Sequence, residues 1–153
     1  VPYFEAGLGS NERCVWITSE PFVAQDAMEL MRAAVPRFDE RLLRRQIEIV
    51  DRDRWNLWAG DVAIEDVVEW GLTKEQEAVA SGFDGLRVSG NVSWLTEDVW
   101  GEFGRYESLV HETVGEHRIL ALCTYPLDRC NADAIMEILR THRCGLRRDL
   151  FPQ

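Results

Sequence analysis

Four short runs rich in β-branched and aromatic residues punctuate the chain, and segments with apolar residues at helical spacing lie between them. The runs are Arg13 to Ser19 (RCVWITS), Gln46 to Asp51 (QIEIVD), Leu86 to Asn91 (LRVSGN) and Arg118 to Tyr125 (RILALCTY). Near-continuous apolar strands are those buried on both faces, and strands joined through helices pair in parallel. The alternation predicts an α/β fold of three layers, a mostly parallel central sheet sandwiched by helices. The run at 118–125 is the most apolar, which predicts a central strand.

The helical segments carry their own start and stop signals. Pro21 opens a helix with Val23, Ala27, Leu30, Met31 and Ala34 at helical spacing, and the helix stops before Pro36. Asp61 to Trp70 predicts a helix with Ile64, Val67 and Val68 inward, and a separate one begins at Thr73, which forms a capping box with Gln76, and ends near Gly82. Thr96 caps a helix whose early acids, Glu97 and Asp98, suit the positive end of its dipole. On that helix Val99, Phe103, Tyr106, Val110 and Thr113 form one stripe, and Trp100, Glu107 and His111 share a neighbouring face. Asn131 caps a last helix with Ile135, Ile138, Leu139 and His142 on one face, ended by Gly145, and Leu146 to Phe151 reads as a closing edge strand. The chain opens at Val1 inside a helical stretch, PYFEAGL, so an upstream strand is expected to be missing from it.

With 153 residues, 46% of them hydrophobic, one core is expected, in a single domain spanning 1–153. Acidic residues outnumber basic ones by 27 to 17, and the formal charge of −10 repels phosphate backbones and anionic membrane surfaces. Direct nucleic-acid binding is not expected. Lys74 is the only lysine, and the arginine clusters at Arg41, Arg44, Arg45, Arg52 and Arg54 and at Arg140, Arg143, Arg147 and Arg148 read as solvated helix faces or last turns. No apolar run approaches the ~18 to 20 residues that cross a bilayer, so no membrane partner and a cytoplasmic location are expected. Four cysteines, Cys14, Cys123, Cys130 and Cys144, do not make a dense disulfide framework and read as reduced thiols.

In a parallel sheet, ligands sit beyond the carboxyl ends of the strands. The predicted ends carry Thr18, Ser19 and Glu20, then Asp51 with Trp55 and Trp58 beyond it, then Ser89, Gly90, Asn91 and Trp94, and last Cys123, Thr124 and Tyr125. Three tryptophans, a tyrosine and a thiol with few charges predict a mostly apolar cavity with a handful of polar anchors, the make-up of a small-molecule site. Gly90 is expected to let the chain turn, Asn91 to offer an amide and Trp94 to form a wall. Ordinary packing of Trp94 and a pairing of Arg87 with a carboxylate such as Glu107 form the alternative.

The sequence lacks G-x-x-x-x-G-K-[ST], G-x-G-x-x-G and G-x-S-x-G, so nucleotide hydrolysis and serine chemistry have no support. Cys123, Cys130, His142 and Cys144 supply soft ligands, yet their spacings match no familiar zinc pattern. Glu107 and His111 stand one helical turn apart, which is commonly a surface pair. No cofactor and no metal are expected.

Several of these stretches together resemble a known family. YFEAGLGSNERCVWIT at Tyr3 to Thr18, IEIVD followed by WNLWAGD, GFDGLRVSGNVSWL followed by Tyr106 and Glu107, and RILALCTYPLDRC with a later His142 are similar to the MEDS domain, named for methanogen and methylotroph proteins and the dichloromethane regulator. The resemblance spans essentially the whole chain. It implies a sensory input module related to the RecA/KaiC-type core without its phosphate-binding loop. It further implies neighbours such as PAS and histidine-kinase modules or a transcriptional regulator, and small hydrocarbon derivatives as signals. It transfers no binding residues, so the candidate ligand-binding set rests on chemistry and placement: Trp55, Arg87, Asn91, Trp94, Glu107, Cys123 and Tyr125. The expected function is non-enzymatic sensing of a small, weakly polar molecule in a prokaryotic signalling protein; a homodimer is one arrangement open to it, and the sequence does not fix the oligomeric state. The alternatives are a protein-interaction module or a cysteine-based redox or metal sensor; the redox form requires a thiol of lowered pKa at Cys123 or Cys130.

Overall fold

The computed structural model describes residues 1–52, 64–91, 100–125 and 130–145. Along the chain they form α1 (Pro2–Gly9), β1 (Arg13–Thr18), α2 (Ala24–Ala34), α3 (Phe38–Leu43), β2 (Ile47–Asp51), α4 (Ile64–Ala80), β3 (Leu86–Asn91), α5 (Trp100–Glu116), β4 (Ile119–Thr124) and α6 (Ala132–Thr141). The four strands make one sheet in the order β2-β1-β3-β4, parallel throughout. Helices flank it as the alternation predicts. The expected edge strand at Leu146 to Phe151 and the cap at Thr96 lie outside the described residues.

Side chains alternate across a strand, so each face has its own core. On one face Cys14 and Ile47 meet α1, α2 and α3 through Phe4, Leu8, Met31, Val35 and Phe38. Aromatic rings extend that layer in a chain, Tyr3 to Phe4 to Trp16 to Phe22, with centroids 5.2, 5.0 and 5.7 Å apart. On the other face Val15, Ile17 and Leu86 are buried with Val50, Trp70, Val88 and Ile119 packed against them.

Two elements differ from the sequence expectation. From Ile64 on, the two predicted helices are one, α4, which runs unbroken past Gly71 and Thr73 to Ala80. A mid-helix glycine costs roughly 1 kcal/mol, and several tertiary anchors outweigh it. Ala78 is fully buried and Trp70 packs on the sheet. Arg13 donates to Glu77 at 3.1 Å, and Lys74 donates to Glu48 at 3.2 Å. The exposed Thr73 hydroxyl is therefore not needed as a cap.

The most apolar run, β4, is not central: it pairs only with β3 among the described strands. Its Leu120 is 47% exposed on the face away from α5. An apolar run reports burial of side chains and says nothing of how many neighbours the backbone has.

The signal at Asn131 stands as read: its side-chain oxygen accepts the Ala134 N–H at 2.8 Å and caps α6. Asn131→Ala should lower stability by about 1 kcal/mol, measurable as a shift of the urea midpoint at unchanged slope.

Candidate functional site

Between the sheet and helices α4 and α5 lies a cavity of about 120 Å³. Its floor is built from residues of alternating position on three strands: Ile17 of β1, Val88 and Gly90 of β3, and Ile119, Ala121 and Cys123 of β4. Val67, Val68, Trp70 and Gly71 of α4 and Tyr106, Val110, Thr113 and Val114 of α5 complete it, with Arg52, Asn91 and Leu122. The stripe read on α5 from Tyr106 through Val110 to Thr113 is thus its wall. A dry apolar cavity of about 150 Å³ takes a benzene ring, so this one suits a molecule of a few heavy atoms.

Gly90 does not turn the chain. It lies within β3, whose pairing continues to Asn91 opposite Thr124. A Cβ placed on it would approach Ile17 at 3.8 Å, ordinary contact. Its contribution is empty space above the floor.

Beside the cavity, β4, α5 and α6 share a buried polar network. The Glu107 carboxylate, 1% exposed, accepts the Tyr125 hydroxyl at 2.9 Å and the Thr141 hydroxyl at 3.5 Å. The Tyr125 oxygen lies 3.0 Å from His142 Nε2, and His142 Nδ1 lies 2.8 Å from the Ile138 carbonyl oxygen. That carbonyl can only accept, so Nδ1 carries a hydrogen. Burial pushes the Glu107 carboxyl above the usual carboxylate range, against the opposing pull of Tyr125 and His142. The Cys123 thiol joins the network through the Tyr125 hydroxyl while lining the cavity. Burial, reinforced by the Glu107 charge, pushes that thiol up to about 11. A thiol so raised is protonated at neutral pH and is a poor nucleophile, which removes the support that the redox alternative required at Cys123.

The candidate ligand-binding residues separate into four groups. Asn91 and Cys123 line the cavity. Glu107 and Tyr125 form the adjoining network and do not line it. Trp55 and Trp94, with Trp58, lie outside the described residues. Arg87 lies on the opposite face of the sheet, a correction to its expected place beside Asn91. Its Nε donates to Glu12 at 2.5 Å, its Nη1 donates to the Tyr3 carbonyl at 3.0 Å, and its guanidinium sits 4.8 Å over the Tyr3 ring. Gly7 of α1 admits it, since a Cβ there would stand 2.6 Å from Arg87 Cδ and Nε. The alternative pairing with Glu107 is not formed either. Nor do Glu107 and His111 pair: Glu107 points inward and His111 is exposed.

A family model described as MEDS, the methanogen/methylotroph, DcmR sensory domain, matches residues 1–143. The chain belongs to the MEDS family. No curated protein and no solved structure matches it. The family is one of sensory domains, so a sensory input role follows for this MEDS chain. Among its described residues no helix is long and apolar enough to cross a membrane.

Two features of this MEDS domain escaped the sequence reading. Arg52, grouped there with solvated arginines, lines the cavity. Its position directly after the QIEIVD run was the available signal: Asp51 faces α2, where its carboxylate accepts the Thr18 hydroxyl at 2.9 Å and the Ala24 N–H at 2.6 Å, so the next residue faces the other way. His142, read as part of an apolar helix face, is the residue after α6 and belongs to the Glu107 network.

Proposed function

We propose that this MEDS domain is a non-enzymatic input module that takes a small, mostly apolar molecule into the cavity between the sheet and helices α4 and α5. The observation that carries this reading is the cavity itself, an apolar void reaching the carboxyl ends of β3 and β4, where the fold class places ligands. Cys123 provides a route outward. It touches the cavity on one side and the Tyr125–Glu107 pair on the other, and that pair reaches Thr141 and His142 at the end of α6. A ligand that favours one packing of α5 thereby biases α6, and a signal needs only that difference in affinity between two states. A cytoplasmic signalling protein carrying a PAS, histidine-kinase or transcriptional output, and pairing of two such domains, belong to the same proposal.

Filling the void tests it. Gly90 has ordinary strand geometry and room above it, so Gly90→Val should fold normally. Wild-type protein screened against small alcohols, ketones and haloalkanes should show thermal stabilisation by at least one of them, and Gly90→Val should lose it. Stabilisation that persists unchanged in Gly90→Val excludes this cavity as the site.

A docking role has one specific observation in its favour: Met136 and Leu139 of α6 are 65% and 58% exposed. They sit on the element that the network addresses, and an output contact there is compatible with ligand entry at the cavity.

A further inference from the structure

Among the described residues, three buried guanidinium nitrogens lack a hydrogen-bond partner: the Nε atoms of Arg13, Arg41 and Arg52. In two of these residues the group is held by other atoms. Arg13 pairs with Glu77 and Glu48 at 3.1 and 3.6 Å. Arg41 donates through Nη1 to the Leu8 carbonyl and to Gln46, both at 2.9 Å. Arg52 has no hydrogen bond or ion pair to any described residue. It is half-buried, it lines the apolar cavity, and no acidic residue stands with it among the described lining residues.

Among the described residues that isolation stands out, in a chain whose acids exceed its bases by 27 to 17. A guanidinium stays charged at any ordinary pH, and a partly desolvated charge without a counter-charge is costly. The cost falls when an anion arrives, and the planar fork matches a carboxylate through two parallel hydrogen bonds.

We propose that the ligand of this cavity is a short-chain carboxylate, its anionic head received by Arg52 and its apolar chain lying among Val67, Val88, Val110 and Ala121. The inference rests on the cavity reading and narrows it, from weakly polar molecules in general to amphiphiles with one anionic end. A single arginine, with no second cation among the described lining residues, fits a monoanion and not a phosphate dianion. The volume of about 120 Å³ limits the chain to a few carbons.

The test compares butanoate with butan-1-ol, equal in chain and different in charge, by calorimetric titration in the millimolar range. Wild type, Arg52→Gln, Arg52→Lys and Gly90→Val are used as the whole 153-residue chain. Butanoate should bind wild type about tenfold more tightly than butan-1-ol, the order expected of one charge-assisted pair. Arg52→Gln should erase that preference and leave butan-1-ol unchanged, Arg52→Lys should retain part of it, and Gly90→Val should weaken both molecules. Equal binding of the two by wild type, or butanoate binding that Arg52→Gln leaves intact, overturns the anionic head while the cavity reading stands. Butanoate binding that survives Gly90→Val places the contact outside the cavity and also overturns it. Absence of binding by either molecule overturns the anionic head, and the wider screen of alcohols, ketones and haloalkanes then decides the cavity reading. A lower melting temperature of ligand-free Arg52→Gln shows that the chain already supplies the counter-charge, and overturns the inference without any ligand.

Discussion

Glu107→Ala should cost the fold about 3 kcal/mol, while Glu107→Gln should cost little and change the response to pH. Alanine leaves a void where the carboxylate met Tyr125 and Thr141 and removes the negative partner 3.6 Å from His142 Nδ1. Glutamine keeps the shape and an acceptor oxygen. The pH effect has a definite sign. Burial raises the folded-state pKa of Glu107 above the unfolded value of about 4.3. Between the two values the folded protein holds a proton that the unfolded chain has released, so stability falls as pH rises through that window. Glu107→Gln has no such proton to lose. Its stability relative to wild type should therefore grow as pH rises from the unfolded carboxyl value of about 4.3 through the range above it, as read from urea midpoints. A constant difference across that range would contradict the raised carboxyl.

Glu12→Ala should destabilise by roughly 2 to 3 kcal/mol, less than a fully buried pair because Glu12 is partly exposed. The Arg87 side chain is enclosed by Tyr3, Gly7 and Cys14, so without Glu12 its charge has only the Tyr3 carbonyl and ring to answer it. The loss is electrostatic, which a second change can separate from lost packing. Adding Arg87→Met to Glu12→Ala should recover much of the stability, since a methionine fills the channel and carries no charge. Thermal melts of the single and double variants decide this, and a double variant worse than Glu12→Ala alone refutes it. Butan-1-ol binding should be unaffected by either change, because Arg87 faces away from the cavity.

Those two predictions mark where the sequence was legible. Apolar runs bounded by turn residues located β1 to β4, and the side-chain oxygen of Asn131 located the start of α6, because both are local signals. The apolar stripe through Tyr106, Val110 and Thr113 identified a wall of the cavity for the same reason. Arg87 failed on parity. It sits between Leu86 and Val88, both on the cavity face, and a period of two sends it to the other side. Arg52 failed on composition: an arginine among other arginines looks solvated until the strand that aims it is known. The network of Glu107, Tyr125 and His142 joins positions 18 and 17 residues apart in sequence, and no periodicity within one helix or strand brings them together. Thr73 carries a true capping signal that tertiary packing of α4 overrides.

The Tyr3 hydroxyl approaches the Val88 and Leu120 carbonyl oxygens at 3.1 and 2.7 Å. It rivets two adjacent strands from behind, in the same layer as the train of rings running to Phe22. The β-layer consequently has a stiff back and a hollow front. On the proposed reading, a guest pressing on Val88 or Ala121 would meet a backed sheet, and the two overlying helices, α4 and α5, are the side expected to give way. Mechanical output would then, on that proposal, be directed to one side of the molecule before any partner is engaged.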